Sequence, residues 1–493
     1  MPPTKLLTAR NAGTTIAYLM CVLYVLVLAY PLRLHLVGAF SDFYRWYAPD
    51  ADRIAAGQFP QNTFNPPGFS ALLAVASPLT GDHFTSGKWM SLLGAAVVGI
   101  LAFHLLRRLF GSAPALLAVP IILLSGEFTA YSIQAATDIP FLCVCLGALL
   151  IITAPQPSGW RASVANGVLC GLAYLIRYNG VFLLVPGLVA AIWQPGSKRR
   201  RATLAGLYLG SFVLTVSPWW WANYTHHGSP VHSTNHEDIA RALALYGEGE
   251  IGSRFLSGYP PRIVSTLYKS VSAGLVLVPV GPLAALGIVL SLVRHGRRPV
   301  RLVLIAALSY LLLMSLTHWM TRYFFLFAVF WAGFAAFAIF EVAGAIGRAF
   351  DAPTARRATA AALAIWILVP SGVRAANRVR TIIERQPLEL VAAASYLDRV
   401  APPEATVMAR KPNVAYLSRR PWRELPDAGS LDELRAILSE RPPDYLVFDQ
   451  SGLRFARHLS ALANPATDLE WLRRVYHDPP GGVTIYAVRL DPR

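Results

Sequence analysis

Charge is scarce in this chain. Of its 493 residues 14% are Asp, Glu, Lys or Arg, where an average soluble protein carries about a quarter, so an ordinary soluble enzyme is excluded. Acids are scarcer still, 27 against 44 basic residues, for a net charge of +17. Cysteine is nearly absent. Cys21, Cys143, Cys145 and Cys170 all sit inside apolar runs, with no C-x-x-C pair and no His at zinc-ligand spacing, which excludes a disulfide framework and a zinc ribbon. They read as small hydrophobes. There is no G-x-x-x-x-G-K-[ST], hence no P-loop. Gly247, Gly249 and Gly252 match G-x-G-x-x-G, but they follow no strand and enclose two glutamates that would repel a phosphate.

What is abundant is apolar surface: 55% of the residues, with a mean hydropathy of +0.45. A bilayer core of about 30 Å needs about 20 apolar residues per helix. Apolar segments are expected to be helical at 14–32, 88–106, 113–126, 138–153, 164–176, 180–194, 202–221, 270–293, 300–317, 323–347 and 358–374. The fold class is therefore a polytopic α-helical membrane protein of about eleven spans. The first segment, TTIAYLMCVLYVLVLAY, is long and precedes no small-x-small cleavage site, so it reads as an anchor, not a cleaved signal.

Charge placement sets the expected orientation. With the N-terminus inside, alternate loops collect 16 Lys and Arg, including Arg107, Arg108, Lys198 to Arg201 and Arg294, against only Glu341 and Asp351. Basic loops stay cytoplasmic. The basic excess is thus topological, and no nucleic-acid partner is implied. Residues 1–378 form the expected membrane domain, with long non-cytoplasmic loops at 33–87 and 222–269. In residues 379–493 the charges balance, no span occurs, and ATVMA, DYLVFD and VTIYAV read as strands between helical stretches PLELVAAASYL and LDELRAIL. That is a small extracytoplasmic α/β domain.

The loops expected on that face carry the candidate chemistry. Asp42, in SDFYRWY, sits where the first helix leaves the bilayer, and an acid at that depth is costly unless paired or used; pairing with Arg45 is the simpler alternative. Asp138, in ATDIPF, opens another helix, where it could equally act as a cap. Arg177 and Asn179 interrupt CGLAYLIRYNGVFLLVPG, and Arg322 and Tyr323 sit in THWMTRYFFLF. One such arginine could merely snorkel, but two of them facing the acids favour an anionic ligand. The run SPWWWANYTHHGSPVHSTNHEDIA brings Trp219, then His226, His227, His232, His236 and Glu237. His232 and His236 have i,i+4 spacing, and with Glu237 they are candidate ligands for a divalent metal ion. Asp50-Ala51-Asp52 reads as the polar face of a short interfacial helix.

In the order SDFY, NPPGFSALL, ATDIPF, IRYNG, SPWWWANYTHHGSP, TRYFF and VMARKPNVAYLSRR, the chain resembles the GT-C class of membrane glycosyltransferases. The resemblance is to bacterial relatives of the dolichyl-phosphate-mannose protein mannosyltransferases and of the lipid A aminoarabinose transferase. It departs from the protein mannosyltransferases in lacking an Asp-Glu pair in the first loop, where Asp42 precedes Phe43. The resemblance implies a polyprenyl-phosphate sugar donor and inverting transfer to an envelope glycan, lipid or protein at the outer leaflet of the cytoplasmic membrane. By motif, Asp42 would be the catalytic base and Asp138 a second acidic site residue. Arg177, Arg322 and Tyr323 would bind the donor phosphate, and Tyr44, Tyr178, Asn179 and Trp219 would contact substrate. The rival reading is a transporter or flippase of a lipid-linked or hydrophilic substrate, but the chain shows no internal repeat and its acids lie at helix ends, not near the midplane.

Overall fold

The computed structural model describes residues 3–40, 42–154, 159–234, 251–272, 280–295, 297–316, 320–464, 467, 469–479 and 481–490. Gly247 and Gly249 lie outside them, while Gly252 falls in the first turn of a helix. The chain divides into two compact units, Met1–Leu34 with Asp50–Ile383, and His35–Pro49 with Glu384–Arg493. The short stretch 35–49 therefore belongs with the C-terminal residues.

The first unit is helical. It begins with α1 (Pro3–Leu34), α2 (Ala48–Ala55, whose first two residues belong to the other unit), α3 (Gly68–Thr80), α4 (His83–Phe110), α5 (Ser112–Leu123) and α6 (Gly126–Ser132). It continues through α7 (Asp138–Ile152), α8 (Trp160–Ile176), α9 (Leu184–Ile192), α10 (Lys198–His227), α11 (Ile251–Ser272), α12 (Val280–His295), α13 (Arg298–Met314), α14 (Phe325–Ala349) and α15 (Pro353–Glu384). Each of the eleven apolar segments read from the sequence contains helix. Length separates them: among the described residues five helices are long and apolar enough to cross a membrane, or six if the bent pair α5–α6 counts as one span. The segment at 180–194 begins as a 3-10 turn, Tyr178–Leu183, before α9. The loops also hold more helix than expected, since α3 lies within 33–87 and α10 and α11 extend into 222–269.

Helix α14 is apolar on every side and 89% of its spanning window is buried, as expected of a central helix. Gly287 of α12 lets the two backbones meet, because a Cβ there would collide with the Phe334 carbonyl. Helix α1, by contrast, is only 28% buried over its spanning window and presents Leu19, Leu23, Leu26 and Val27 outward, an apolar surface suited to lipid.

The second unit holds a five-stranded sheet: β1 (Val407–Ala409), β2 (Trp422–Glu424), β3 (Tyr445–Phe448), β4 (Leu472–Asp478) and β5 (Val483–Val488), in the order β2-β1-β3-β5-β4. The first three are parallel, while β5 runs against β3 and β4 against β5. Strands β1, β3 and β5 coincide with the three segments read from the sequence. The edges β2 and β4 escaped notice because Trp422–Glu424 is too short to show alternation and LRRVYHD is mostly polar. Both sheet faces are covered: Val407, Ala409, Val447 and Ile485 pack with Leu390, Ala393, Ala394 and Leu397 of α16 (Leu388–Val400). Met408, Leu446, Phe448 and Tyr486 pack on the other side with Leu434 and Leu438 of α18 (Leu431–Glu440); α17 (Asn413–Leu417) lies between them in the chain.

One close approach explains the NPPG motif. A Cβ on Gly68 would lie 2.5 Å from the Leu175 carbonyl oxygen, so the start of α3 rests on the last turn of α8. Gly68→Ala should cost about 1–3 kcal/mol through forced backbone separation, read as a lowered thermal midpoint in detergent. Gly206→Ala, on α10 with nothing within 4 Å of its Cβ, should leave the midpoint unchanged or raise it.

Candidate active site

The helix ends of the first unit gather the charges. Helix α8 stops at Ile176, and Arg177 takes an extended conformation (φ −150°, ψ 131°) before the 3-10 turn begins. That turn folds back tightly on α8, and a Cβ on Gly180 would sit 2.4 Å from the Ala173 carbonyl carbon. The break swings the Arg177 side chain out of helical register. Its Nη1 donates to Asp138 Oδ1 at 2.8 Å and to Thr137 Oγ1 at 2.9 Å. The pair is buried, with 14% of the Arg177 side chain and 3% of the Asp138 side chain exposed.

Asp138 stands in the first turn of α7, where an acid suits the helix dipole. It is not a side-chain cap, because Oδ1 is taken by the guanidinium and the buried Oδ2 has no hydrogen-bond partner among the described residues. The alternative of capping alone is thereby set aside.

An aromatic wall completes this arrangement. The Arg177 guanidinium lies 4.7 Å from the Tyr323 ring centroid and 6.0 Å from that of Phe141, both within cation–π range. Arg322 lies 5.6 Å from the same Tyr323 ring. The 3-10 turn Thr321–Phe324 that carries both residues is tied down where Tyr310 Oη donates to the Tyr323 carbonyl at 2.8 Å. Asp138, Arg177, Arg322 and Glu127 all act electrostatically on Tyr131.

The other expected residues of the first unit have contacts of their own. Tyr178 is buried and donates to the Thr63 carbonyl at 3.1 Å, which fixes the 62–68 loop to the α8 break. Asn179 donates to the Met314 sulfur at 3.7 Å. Trp219 is buried on α10, its indole N–H without a partner among the described residues.

Asp42 and Tyr44 belong to the second unit and are described there. Asp42 is half-buried and immediately precedes a π-helical turn, Phe43–Tyr47. Tyr44 is buried, its hydroxyl accepts from the Gly38 N–H at 3.1 Å, and its ring packs on Tyr416 at 5.3 Å. Arg45 is paired with Glu424 at 2.7 Å.

His232 is not helical, and its ring stacks on His227 with centroids 4.4 Å apart. His236 and Glu237 lie outside the described residues. Among the described residues no group of three or more His, Cys, Asp or Glu is placed to hold a metal ion. Asp50 and Asp52 also have other duties: Asp50 is buried and accepts from the Gln61 N–H, whereas Asp52 pairs with His83. Burial pushes the Asp50 carboxyl up from its ordinary range, opposed by hydrogen bonds from Gln61 and Asn62 and by the Arg53 charge. All four cysteines are free thiols.

Sequence reading missed Thr137, Thr63 and Glu424. Thr137 adjoins Asp138 and could have been suspected, but Thr63 reaches Tyr178, and Glu424 reaches Arg45 within the second unit, by contacts between distant positions.

Residues 65–221, about a third of the chain, match the family described as dolichyl-phosphate-mannose-protein mannosyltransferase. The matched stretch includes Asp138 and Arg177; Asp42 and Arg322 fall outside it. No curated protein gives a significant match. Among solved structures, the chain is similar to ArnT from Cupriavidus metallidurans bound to undecaprenyl phosphate. The TM-score is 0.60 at 15% identity, over 99% of this chain and 98% of that one. It is also similar to the Archaeoglobus fulgidus oligosaccharyltransferase AglB in complex with an inhibitory peptide and a dolichol-phosphate, with a TM-score of 0.61 at 13% identity, over 97% of this chain and 74% of that one. The chain therefore shares the fold of ArnT and AglB over nearly its whole length.

Removing one member of a buried ion pair strands the other charge. Asp138→Ala should therefore cost about 3–5 kcal/mol, measured as thermal midpoint in detergent, and the double variant Asp138→Ala/Arg177→Leu should recover part of the loss.

Proposed function

We propose that this membrane protein of GT-C glycosyltransferase fold moves a monosaccharide from a polyprenyl-phosphate donor to an envelope glycan, lipid or protein. In this reading the transfer takes place on the non-cytoplasmic face of the cytoplasmic membrane. The N-terminus lies inside and the sheet-bearing unit outside, as the distribution of basic loops requires.

The chemistry follows from the donor. Nucleotide sugars are not supplied beyond the cytoplasm, so the activated sugar has to arrive anchored in the bilayer. Its leaving group is a phosphate, which departs as a stable anion and needs cations, not a protonating acid. The acceptor hydroxyl attacks the anomeric carbon as the carbon–oxygen bond to phosphate breaks, and configuration inverts in that single displacement. Asp42 takes the hydroxyl proton. Arg177 and Arg322 hold the phosphate oxygens, for which planar guanidinium forks are well matched.

The observation that carries this reading is the buried Asp138–Arg177 pair beside Tyr323, with Arg322 on the same ring. Two guanidiniums against one aromatic ring at helix ends are an expensive arrangement to keep in an apolar unit unless an anion uses it. In this account Asp138 fixes the orientation of Arg177 through Oδ1 and leaves Oδ2 to a substrate hydroxyl.

Purified protein incubated with radiolabelled polyprenyl-phosphate sugars and membrane extract should move one label to an acceptor, and the label that moves names the sugar. Asp42→Asn should lower that transfer by about 10²–10⁴-fold with thermal midpoint unchanged; full activity in this variant would remove Asp42 from the mechanism. Arg322→Ala should raise the apparent donor KM by roughly 10- to 100-fold, the value of a hydrogen bond to a charged group. An unchanged donor KM would remove Arg322 from phosphate binding.

A further inference from the structure

We infer that Glu424, on strand β2 of the C-terminal residues, is a positioning residue for Asp42; the catalytic part of this inference rests on the proposed role of Asp42 as base. Residues 35–49 are a long excursion in sequence, and contacts from the chain beyond residue 384 hold them at several points. The Gln386 side-chain oxygen accepts from the Leu36 and Val37 N–H groups. Asn413 Nδ2 donates to the Gly38 carbonyl at 3.5 Å, and Tyr416 packs on Tyr44. These contacts secure the segment up to residue 38 and one side of the turn that follows Asp42.

The remaining side is held electrostatically. Arg45 lies three residues after Asp42, inside the π-helical stretch. Its guanidinium sits between two indoles, 4.6 Å from Trp46 and 5.0 Å from Trp422. Its Nη2 donates to Glu424 Oε2 at 2.7 Å, while the other oxygen of Glu424 accepts from Arg410 Nη1 at 3.3 Å. Glu424 is thus braced on the sheet side by Arg410, which follows β1 directly, and it presents its second oxygen to Arg45. Glu424 ends β2 and Arg410 follows β1, so the carboxyl end of this strand pair receives the arginine of the Asp42 turn.

A half-exposed ion pair adds little to stability, so stability is not what this arrangement is for. Its consequence is geometric. A general base has to lie within hydrogen-bond reach of the proton it takes, and a displacement of about 1 Å can cost on the order of 10²-fold in rate. Holding Arg45 in a fixed plane, stacked on two rings and tied to a braced carboxylate, limits rotation of the turn that begins at Asp42. The C-terminal residues therefore act on catalysis through the position of residue 42.

The test is a double-variant cycle with Glu424→Ala, Arg45→Ala and the pair, read by transfer kinetics and by amide hydrogen exchange on the full protein in detergent. Each single variant should lower kcat by about 10-fold or more while donor KM stays within about twofold. Exchange at residues 43–47 should accelerate, and that of β3 and β5 should stay at the parent rate. The double variant should be no worse than the worse single one, because both remove one interaction. Unchanged kcat, unchanged exchange at 43–47, or losses that multiply would each overturn the inference. Exchange also separates it from the base assignment: an inactive Asp42→Asn together with a fully active Glu424→Ala leaves the base in place and ends the positioning role. Full transfer by Asp42→Asn overturns the base assignment and, with it, the catalytic part of this inference.

Discussion

A charge in an apolar helical unit is tolerated only with a partner, and the Asp138–Arg177 pair is where this protein meets that constraint. Neither side chain could stand alone at its degree of burial, since each ion loses most of its hydration and the opposite charge, at 2.8 Å, offsets that loss. The local backbone is shaped around that requirement. Helix α8 breaks at Arg177, Gly180 permits the following turn to fold back, and Tyr178 pins the 62–68 loop to the same break. Thr137 supplies a second acceptor to the guanidinium, and Tyr323 covers it. Buried ion pairs are poor sources of net stability, so an arrangement that recruits this many elements is better understood through what it can bind than through what it holds together.

The second unit is built on different physics. Its sheet is buried on both faces by ordinary apolar packing, with Val407, Val447 and Ile485 on one side and Leu446, Phe448 and Tyr486 on the other. Its polar work is done at the strand ends. There Glu424 and Arg410 meet Arg45, and the segment 35–49 becomes part of the same compact unit. A stretch that connects two helices in the sequence is thus structurally an extension of a domain that begins more than three hundred residues later.

Much of the architecture was legible beforehand because bilayer-spanning helices and buried strands leave local signatures. Each of the eleven apolar runs contains helix, and ATVMA, DYLVFD and VTIYAV marked the three central strands. What composition could not supply was length. Helices α7, α8 and α12 are 15, 17 and 16 residues long, and hydropathy alone does not say whether a helix of that size crosses a bilayer. The short edge strand β2 and the polar strand β4 left no periodicity to read. Nor did the apolar helix α3 stand out from the loop around it, since its identity depends on Gly68 meeting Leu175.

The candidate site divides along the same line. Composition, loop charge and the isolated acids and arginines in apolar runs determined from sequence that this is a membrane protein with polar chemistry at helix ends, because an ionisable residue in such a run is conspicuous wherever it is placed. Only the tertiary structure decided which of those residues meet. It paired Asp138 with Arg177 across 39 positions and Arg45 with Glu424 across 379, and it stacked His232 on His227. The physical reason is that a charge advertises its cost locally, through the residues around it in the chain, whereas the partner that offsets the cost is chosen by packing and can lie anywhere the fold brings close.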